Sequence, residues 1–241
     1  TSTAVSYVGG LEITGFSGNG IRVSQPLGAG GLRIQANTIH GNAGAGVRVA
    51  GTPDPSGVSI LSNSIYANGG PGIDLAGDGV TANDVGDADG GANQRQNFPV
   101  LVAADSTAIT GTLNSTPGTT FTVQFFASAA AAASGYGDGQ TYLGQLTNVT
   151  SDGSGNASFR FPHGLTVGQP YVTSTATDPL GNTSEFSAAL TTTYSGKVSV
   201  ARSSHGNGSE AGPNDGQFTV TLSAASSTAT TVTYTLGGSA T

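Results

Sequence analysis

Apolar residues recur with a period of 26 along the first third of the chain. Residues 37–47 read NTIHGNAGAGV and residues 63–73 read NSIYANGGPGI, and the same phase extends back to Ile13. Three successive copies over residues 1–77 without a change of phase indicate a repeat architecture. The aligned apolar positions are Ile13/Ile39/Ile65, Ile21/Val47/Ile73 and Ile34/Ile60.

A 26-residue period without a helical pattern predicts one coil of a right-handed parallel β-helix, made of three short strands and three turns. We expect the aligned apolar side chains to face inward as ladders. Asn residues are expected at the coil corners, because Asn tolerates the left-handed conformation and bonds neighbouring backbone. Gly20, Gly46 and Gly72 are expected where φ is positive or where a side chain would clash.

The repeats resemble the parallel β-helix arrays of large bacterial surface and secreted proteins. Residues 72–75, 78–81 and 97–101 resemble the way in which such arrays close before an Ig-like domain. This resemblance covers about residues 1–101. It implies a β-helix domain over residues 1–97 that ends in an acidic cap.

A different pattern begins at Phe98, where the 26-residue period is lost. Alternating apolar and polar residues between turn clusters predict a β-sandwich. The predicted strands are 108–113, 120–127, 141–149, 156–161 and 170–177. A resemblance to a bacterial Ig-like domain, which implies such a domain over residues 98–193, is carried by residues 111–113, 121–127 and 176–187.

The tail, residues 194–241, resembles the first half of a Calx-β domain. The resemblance is carried by residues 209–212, 216–223 and 231–234, and the predicted strands are 197–201, 217–222 and 230–236. In that family an acidic residue at the position of Glu210 helps to bind calcium. The partner acids lie in the second half of the domain, so Glu210 is not predicted as a ligand. Half a sandwich leaves strand edges that either further polypeptide or β-strand addition by a neighbouring subunit would cover.

Residues 74–97 form an acidic segment that holds five of the fourteen acids. The spacing of Asp84, Asp87 and Asp89 before Gly90 is similar to oxygen-rich calcium loops, in which carboxylate and carbonyl oxygens bind a hard cation. The segment therefore predicts a calcium site formed by Asp84, Asp87, Asp89 and Asn93. The alternative is a cap of Asx turns that covers the open end of the solenoid.

Arg22, Arg48 and Asp74 occupy equivalent positions in the three repeats and are predicted to form an outward row. Parallel β-helices are also the scaffold of pectate lyases and tailspike glycosidases, so this row is one candidate for a saccharide-binding face. The alternative is an Arg48–Asp74 ion pair with Arg22 in solvent. The paired acids that glycosidases need are missing from the row.

Composition excludes several classes of function. Charged residues make up 9% of the chain, the net charge is −7 and Lys197 is the only lysine, so a nucleic-acid partner is not predicted. The longest apolar run, near residues 125–133, is shorter than the about 20 residues that span a bilayer. The chain has no Cys for disulfides, and Thr1 at its start together with the absence of Met predicts a processed piece or part of a longer polypeptide.

No nucleophile elbow, zinc-protease motif or phosphate loop occurs, and His40, His163 and His205 are predicted as surface residues. Sparse charge with abundant Thr, Ser, Asn and Gly is typical of extracellular surfaces. We therefore predict an all-β, non-enzymatic structural or adhesive protein of the bacterial cell surface. It is expected to self-associate, as a filament subunit assembled head to tail by β-strand complementation, and to contact surface glycans. The alternative is a carbohydrate-binding or carbohydrate-active β-helix protein.

Overall fold

Nine short strands follow the 26-residue period. The computed structural model describes residues 5–28, 30–163, 168–192, 198–202 and 218–222. The nine strands are β1 (Ser6–Gly9), β2 (Glu12–Thr14), β3 (Ile21–Val23), β4 (Leu32–Gln35), β5 (Thr38–His40), β6 (Val47–Val49), β7 (Val58–Leu61), β8 (Ser64–Tyr66) and β9 (Ile73–Leu75).

Each repeat supplies one strand to each of three parallel sheets, ordered β1–β4–β7, β2–β5–β8 and β3–β6–β9. The register places Ile39 between Ile13 and Ile65, and Val47 between Ile21 and Ile73. These side chains join one apolar core, in which the members from the second and third repeats are buried. The predicted ladders are confirmed, because inward residues of successive strands meet when the strands pair in register.

The corners between strands use left-handed residues at fixed places in the repeat. One set is Gly10, Ala36 and Ser62, and another is Gly15, Gly41 and Ala67. Each left-handed residue immediately precedes the position that Asn occupies in the second and third repeats. The expectation that the Asn residues themselves are left-handed is therefore wrong, since their side chains make the bonds while the preceding residue makes the turn.

Gly20, Gly46 and Gly72 are required by close packing rather than by a positive φ. A Cβ on Gly46 would lie 2.5 Å from Ile65 Cγ2 and 2.6 Å from the Gly72 carbonyl oxygen. The corresponding atom on Gly20 would lie 2.6 Å from Ile39 Cγ2. Of the two reasons expected for these glycines, the steric one is confirmed.

Seven strands between residues 100 and 191 form two antiparallel sheets, ordered β10–β11–β14 and β13–β12–β15–β16. The strands are β10 (Val100–Ala104), β11 (Ala108–Asn114), β12 (Thr120–Ser128), β13 (Thr141–Thr150), β14 (Asn156–Pro162), β15 (Tyr171–Thr177) and β16 (Leu190–Thr191). Buried residues from both sheets, among them Ile109, Phe121 and Phe125, form a second apolar core. The five strands predicted in this region lie within two residues of the observed bounds, whereas β10 and β16 were not predicted.

The tail forms a separate unit over residues 194–241. Its described residues are an antiparallel pair, β17 (Val198–Arg202) and β18 (Phe218–Leu222). Glu210, Lys197, His205 and the predicted strand 230–236 lie outside the described residues. The predicted all-β class is confirmed, because helix within the described ranges is limited to one 3₁₀ turn, Ala92–Arg95. No helix there has the length and hydropathy needed to cross a membrane.

Candidate functional site

The outer edges of β7, β8 and β9, the three strands of the third repeat, are covered by other parts of the chain, mainly from the antiparallel region between residues 100 and 191. We call this covered side of the third repeat the closed end. Within the described residues no further repeat lies beyond β7 to accept hydrogen bonds from the backbone N–H groups along its outer edge. Each of these groups donates to a side chain from residues 93–183. The bonds are Gly57 to Asn182 Oδ1 (2.7 Å), Val58 to Asn93 Oδ1 (3.0 Å), Ile60 to Thr183 Oγ1 (2.9 Å) and Ser62 to Gln124 Oε1 (2.8 Å).

The edge of β8 is covered by residues 138–140. Ile65 and Gly139 exchange two backbone hydrogen bonds of 2.8 Å each as an antiparallel bridge. Asp138 Oδ2 accepts from the Ala67 N–H at 3.0 Å. The Ser64 hydroxyl donates to the Gln140 carbonyl at 2.6 Å. This short segment therefore occupies the place of a further strand on the sheet.

The edge of β9 is covered by Glu185, whose residue exposure is 3%. Its Oε1 accepts from the Leu75 N–H and its Oε2 from the Thr81 N–H, both at 2.8 Å. Burial raises the pKa of Glu185 to about 7, although the two N–H bonds act in the opposite direction. The buried carboxyl group of Glu185 thus holds the last strand of the repeats to the segment that follows it.

The apolar core of the repeats is closed by two aromatic rings. Phe126 from β12 and Phe186 belong to the same buried cluster as the repeat ladders. Their ring centroids are 5.2 Å apart at an interplanar angle of 86°, an edge-to-face contact. Gly72 admits Phe186, since a Cβ there would lie 2.8 Å from the ring. At the closed end the strand edges of the third repeat are therefore hydrogen-bonded, and its apolar interior is covered by aromatic rings.

Asn side chains bond one repeat to the next. The Asn37 backbone N–H and its Nδ2 both donate to Asn63 Oδ1, at 3.0 and 2.9 Å. The Asn63 Nδ2 donates to the Ile34 carbonyl at 2.8 Å. A second ladder at the next corner repeats this arrangement with Asn42 and Asn68. These bonds are buried or half-buried and hold the register of the three repeats.

Three of the four predicted calcium ligands converge. Asp84, Asp87 and Asp89 each place one carboxylate oxygen within 4.8 Å of the others. Burial raises the pKa of Asp87 to about 6, against the hydrogen bonds it accepts from Ser115 Oγ at 2.7 Å and the Asn97 N–H at 2.9 Å. Burial, and then repulsion by Asp84, raises the pKa of Asp89. Carboxylate oxygens at this spacing suit a hard cation.

Neighbouring groups already occupy part of this cluster. Asp84 accepts from the backbone N–H groups of Ala88 and Asp89 at 3.1 to 3.2 Å. The guanidinium of Arg95 lies 3.9 Å from Asp89 and 3.7 Å from Asp78. The negative charge of the cluster is therefore partly compensated by Arg95, and Asp84 makes hydrogen bonds within its own turn. Both features also fit the alternative interpretation, a cap of Asx turns without a metal ion.

Asn93, the fourth predicted ligand, does not belong to this cluster. It is fully buried, and its Nδ2 donates to the carbonyls of Val58 at 2.8 Å and Thr183 at 2.9 Å. Three consecutive left-handed residues, from Asn93 to Arg95, form the turn in which this amide lies against β7. The Asn93 amide is thus engaged at the closed end, and calcium binding by Asn93 stays a prediction that these contacts do not support.

The predicted outward row also differs from expectation. The register does align Arg22, Arg48 and Asp74, but Asp74 is only 7% exposed. Asp74 accepts from the Gly79 N–H at 3.3 Å and burial raises its pKa, while Arg48 donates to the Gly77 carbonyl at 3.5 Å. Within the described residues no nitrogen of Arg48 lies within 4.0 Å of an Asp74 oxygen, although the charge of Arg48 lowers the pKa of Asp74 against the effect of burial.

Sequence reasoning missed most residues of the closed end, namely Gln124, Asp138, Asn182, Thr183 and Glu185. No protein-family model matches this chain, and no curated protein is significantly similar to it. The arrangement of its own residues is therefore what supports a function.

Proposed function

We propose that this chain is a non-enzymatic structural or adhesive protein of the bacterial cell surface. In this proposal the 26-residue repeats form a right-handed β-helix, residues 98–193 an Ig-like sandwich and residues 194–241 a partial Calx-β domain. The observation that supports a structural role is the closed end, where edge N–H groups on all three sheets of the third repeat bond to the antiparallel region. Covered edges prevent uncontrolled pairing of β-sheets, and sparse charge suits an extracellular surface.

We call the opposite side of the repeats the open end. It consists of the outer edges of β1, β2 and β3. Among the described residues these strands pair on one side only. Leu11 and Phe16 are 51% and 56% exposed, at positions where the later repeats carry the ladder residues Asn37 and Asn42. We propose that a strand of a second copy adds to this edge, giving head-to-tail assembly of the kind known for strand complementation.

The test of assembly uses the purified chain in sedimentation velocity over a range of concentrations, together with negative-stain microscopy. We expect oligomers or fibres for the wild type and a monomer for the double variant Leu11→Asp/Phe16→Asp. Leu180→Asp, at an 80% exposed position in a turn, is the matched control and should assemble normally. A wild-type monomer at high concentration, with every strand protected from hydrogen exchange, would refute the proposal.

Calcium binding by Asp84, Asp87 and Asp89 stays a prediction. A cation that binds only the folded state raises the free energy of unfolding, by about 2.7 kcal/mol at a hundred times its Kd. Thermal unfolding with calcium and with chelator should therefore differ for the wild type and converge for Asp89→Asn. Asp54→Asn, an exposed position, is the control that should keep the difference. Equal melting temperatures of the wild type with calcium and with chelator would show that calcium does not bind the folded chain.

A further inference from the structure

A cleft of about 420 Å³ lies beside the last corner of the repeats. Its lining combines residues 66–71 of the third repeat with residues 128–134, which include five consecutive alanines, and with Asp138 and Gln140. The volume is within the range of small-molecule sites, which combine apolar walls with a few placed polar groups. The small side chains of the alanine run leave room for a ligand to approach closely.

One aromatic ring at the cleft is held in place from the neighbouring repeat. Tyr66 stacks on His40, with ring centroids 5.0 Å apart and an interplanar angle of 10°. The two residues are register partners in β8 and β5. His40 Nε2 lies 3.2 Å from Glu12 Oε1 in the preceding strand of the same sheet. Because one face of the Tyr66 ring is covered by His40, the ring is oriented before any ligand arrives.

Two polar side chains at the cleft, those of Asp138 and Gln140, each use one oxygen atom to accept a backbone hydrogen bond. Asp138 Oδ2 accepts from the Ala67 N–H at 3.0 Å, and Gln140 Oε1 accepts from the Ala129 N–H at 3.3 Å. Within the described residues Asp138 Oδ1 and Gln140 Nε2 make no hydrogen bond. Burial raises the pKa of Asp138, against the hydrogen bond from the Ala67 N–H. The lining contains no Lys, Arg or His. The cleft therefore offers one acceptor and one donor beside an oriented ring.

These groups define the chemistry of a ligand. A phosphate or carboxylate ligand is disfavoured, because the lining has a carboxyl group and no cation. A pyranose ring has an apolar C–H face that packs on an aromatic ring and a rim of hydroxyls that both donate and accept. We propose that this cleft binds a neutral sugar unit, with its apolar face on Tyr66 and its hydroxyls donating to Asp138 and accepting from Gln140.

This site is independent of the proposed end-to-end assembly, since it lies at the closed end rather than at the open end. It also differs from the row of Arg22, Arg48 and Asp74, in which Asp74 is covered. Carbohydrate recognition is thereby placed on a junction between the repeats and the antiparallel region, not on an outer sheet face.

The test is binding of the full chain to a panel of neutral probes, namely cello-, malto- and galacto-oligosaccharides, by saturation-transfer NMR followed by calorimetric titration. We expect at least one series to bind and Tyr66→Ala to weaken that binding about tenfold or more. Asp138→Asn should weaken it as well, whereas Tyr66→Phe should retain most of the affinity. Tyr7→Ala and Asp54→Asn, exposed positions outside the cleft, are the matched controls.

Two results would overturn the proposal. One is the absence of binding by all three series to the folded wild-type chain. The other is unchanged sugar binding by Asp138→Asn and by a Tyr66→Ala variant that unfolds cooperatively as wild type does. If Tyr66→Ala fails to fold, the comparison of Asp138→Asn with Asp54→Asn decides the matter. Asp138-dependent binding of choline without binding of any sugar would identify a cation site and refute the sugar assignment.

Discussion

The Asn ladder permits a sharp stability prediction at Asn63. This residue is 2% exposed, and its Oδ1 is the acceptor for the backbone N–H and for the Nδ2 of Asn37. In Asn63→Ala the Asn37 side chain keeps its bond to the Val8 carbonyl at 3.0 Å. The Asn37 backbone N–H has no other acceptor among the described residues, so the substitution leaves a buried donor unpaired.

The expected loss has two parts. A buried donor without an acceptor costs about 1–3 kcal/mol, and the volume left beside Ile34 adds about 1 kcal/mol. The free energy of unfolding should therefore fall by about 2–4 kcal/mol, which is a large part of the about 5–15 kcal/mol typical of a folded domain. Asn37→Ala should cost less, since its Oδ1 serves the Leu11 N–H at the partly exposed open end.

Urea unfolding monitored by circular dichroism measures this loss, and the midpoint should fall while the slope stays constant. Asn148→Ala is the control, because Asn148 is exposed on β13 and should change stability by less than about 0.5 kcal/mol. A loss below about 0.5 kcal/mol for Asn63→Ala would show that the ladder does not stabilise the repeats. An equal loss at Asn148 would show that the effect is not specific to the ladder.

Two further substitutions test the closed end and the packing between repeats. The folded state holds a proton on Glu185 up to its pKa of about 7, whereas the unfolded chain releases this proton near pH 4.5. The free energy of unfolding should therefore fall as the pH rises between these two values, by up to about 1.4 kcal/mol per pH unit. Urea unfolding at several pH values should show this slope reduced in Glu185→Gln, and identical slopes would contradict it. Gly46→Ala should destabilise by more than about 1 kcal/mol because its Cβ would clash with Ile65 and the Gly72 carbonyl. Gly153→Ala, with open space around its Cα, should be neutral when both glycine variants are compared by thermal unfolding. Equal melting temperatures for the two variants would refute the steric explanation.

The repeats were predictable because they are a local pattern. A single period places Ile13, Ile39 and Ile65 on one line, and parallel pairing in register then follows from hydrophobic burial on one face. The sequence could not show which corner residue is left-handed. Ala36 and Ser62 carry no signal for a positive φ, although both adopt it immediately before a buried Asn.

The closed end was not predictable, because its residues are distant in sequence from the edges they cover. Gln124 lies between Val123 and Phe125 at the centre of β12, and Glu185 precedes Phe186 in a segment almost without charge. Both are weak signals of buried polar residues, but neither names its partner. The convergence of Asp84, Asp87 and Asp89 did follow from spacing, while the contacts of the Asn93 amide with β7 did not, because they depend on a turn of left-handed residues.

The contacts of the closed end also have a consequence for the order of folding. Bonds between repeats join residues 26 or 29 apart, whereas those that cover β7 join residues 35 to 125 apart, and three of the four join residues at least 62 apart. At about 5–20 residues per second of synthesis, Asn182 follows Gly57 by roughly 6–25 s. During that interval the third repeat has formed neighbours on one side and bare strand edges on the other. We therefore expect completion of this edge, rather than stacking of the repeats, to limit the folding rate, and a chaperone or an early partner would act on β7 to β9.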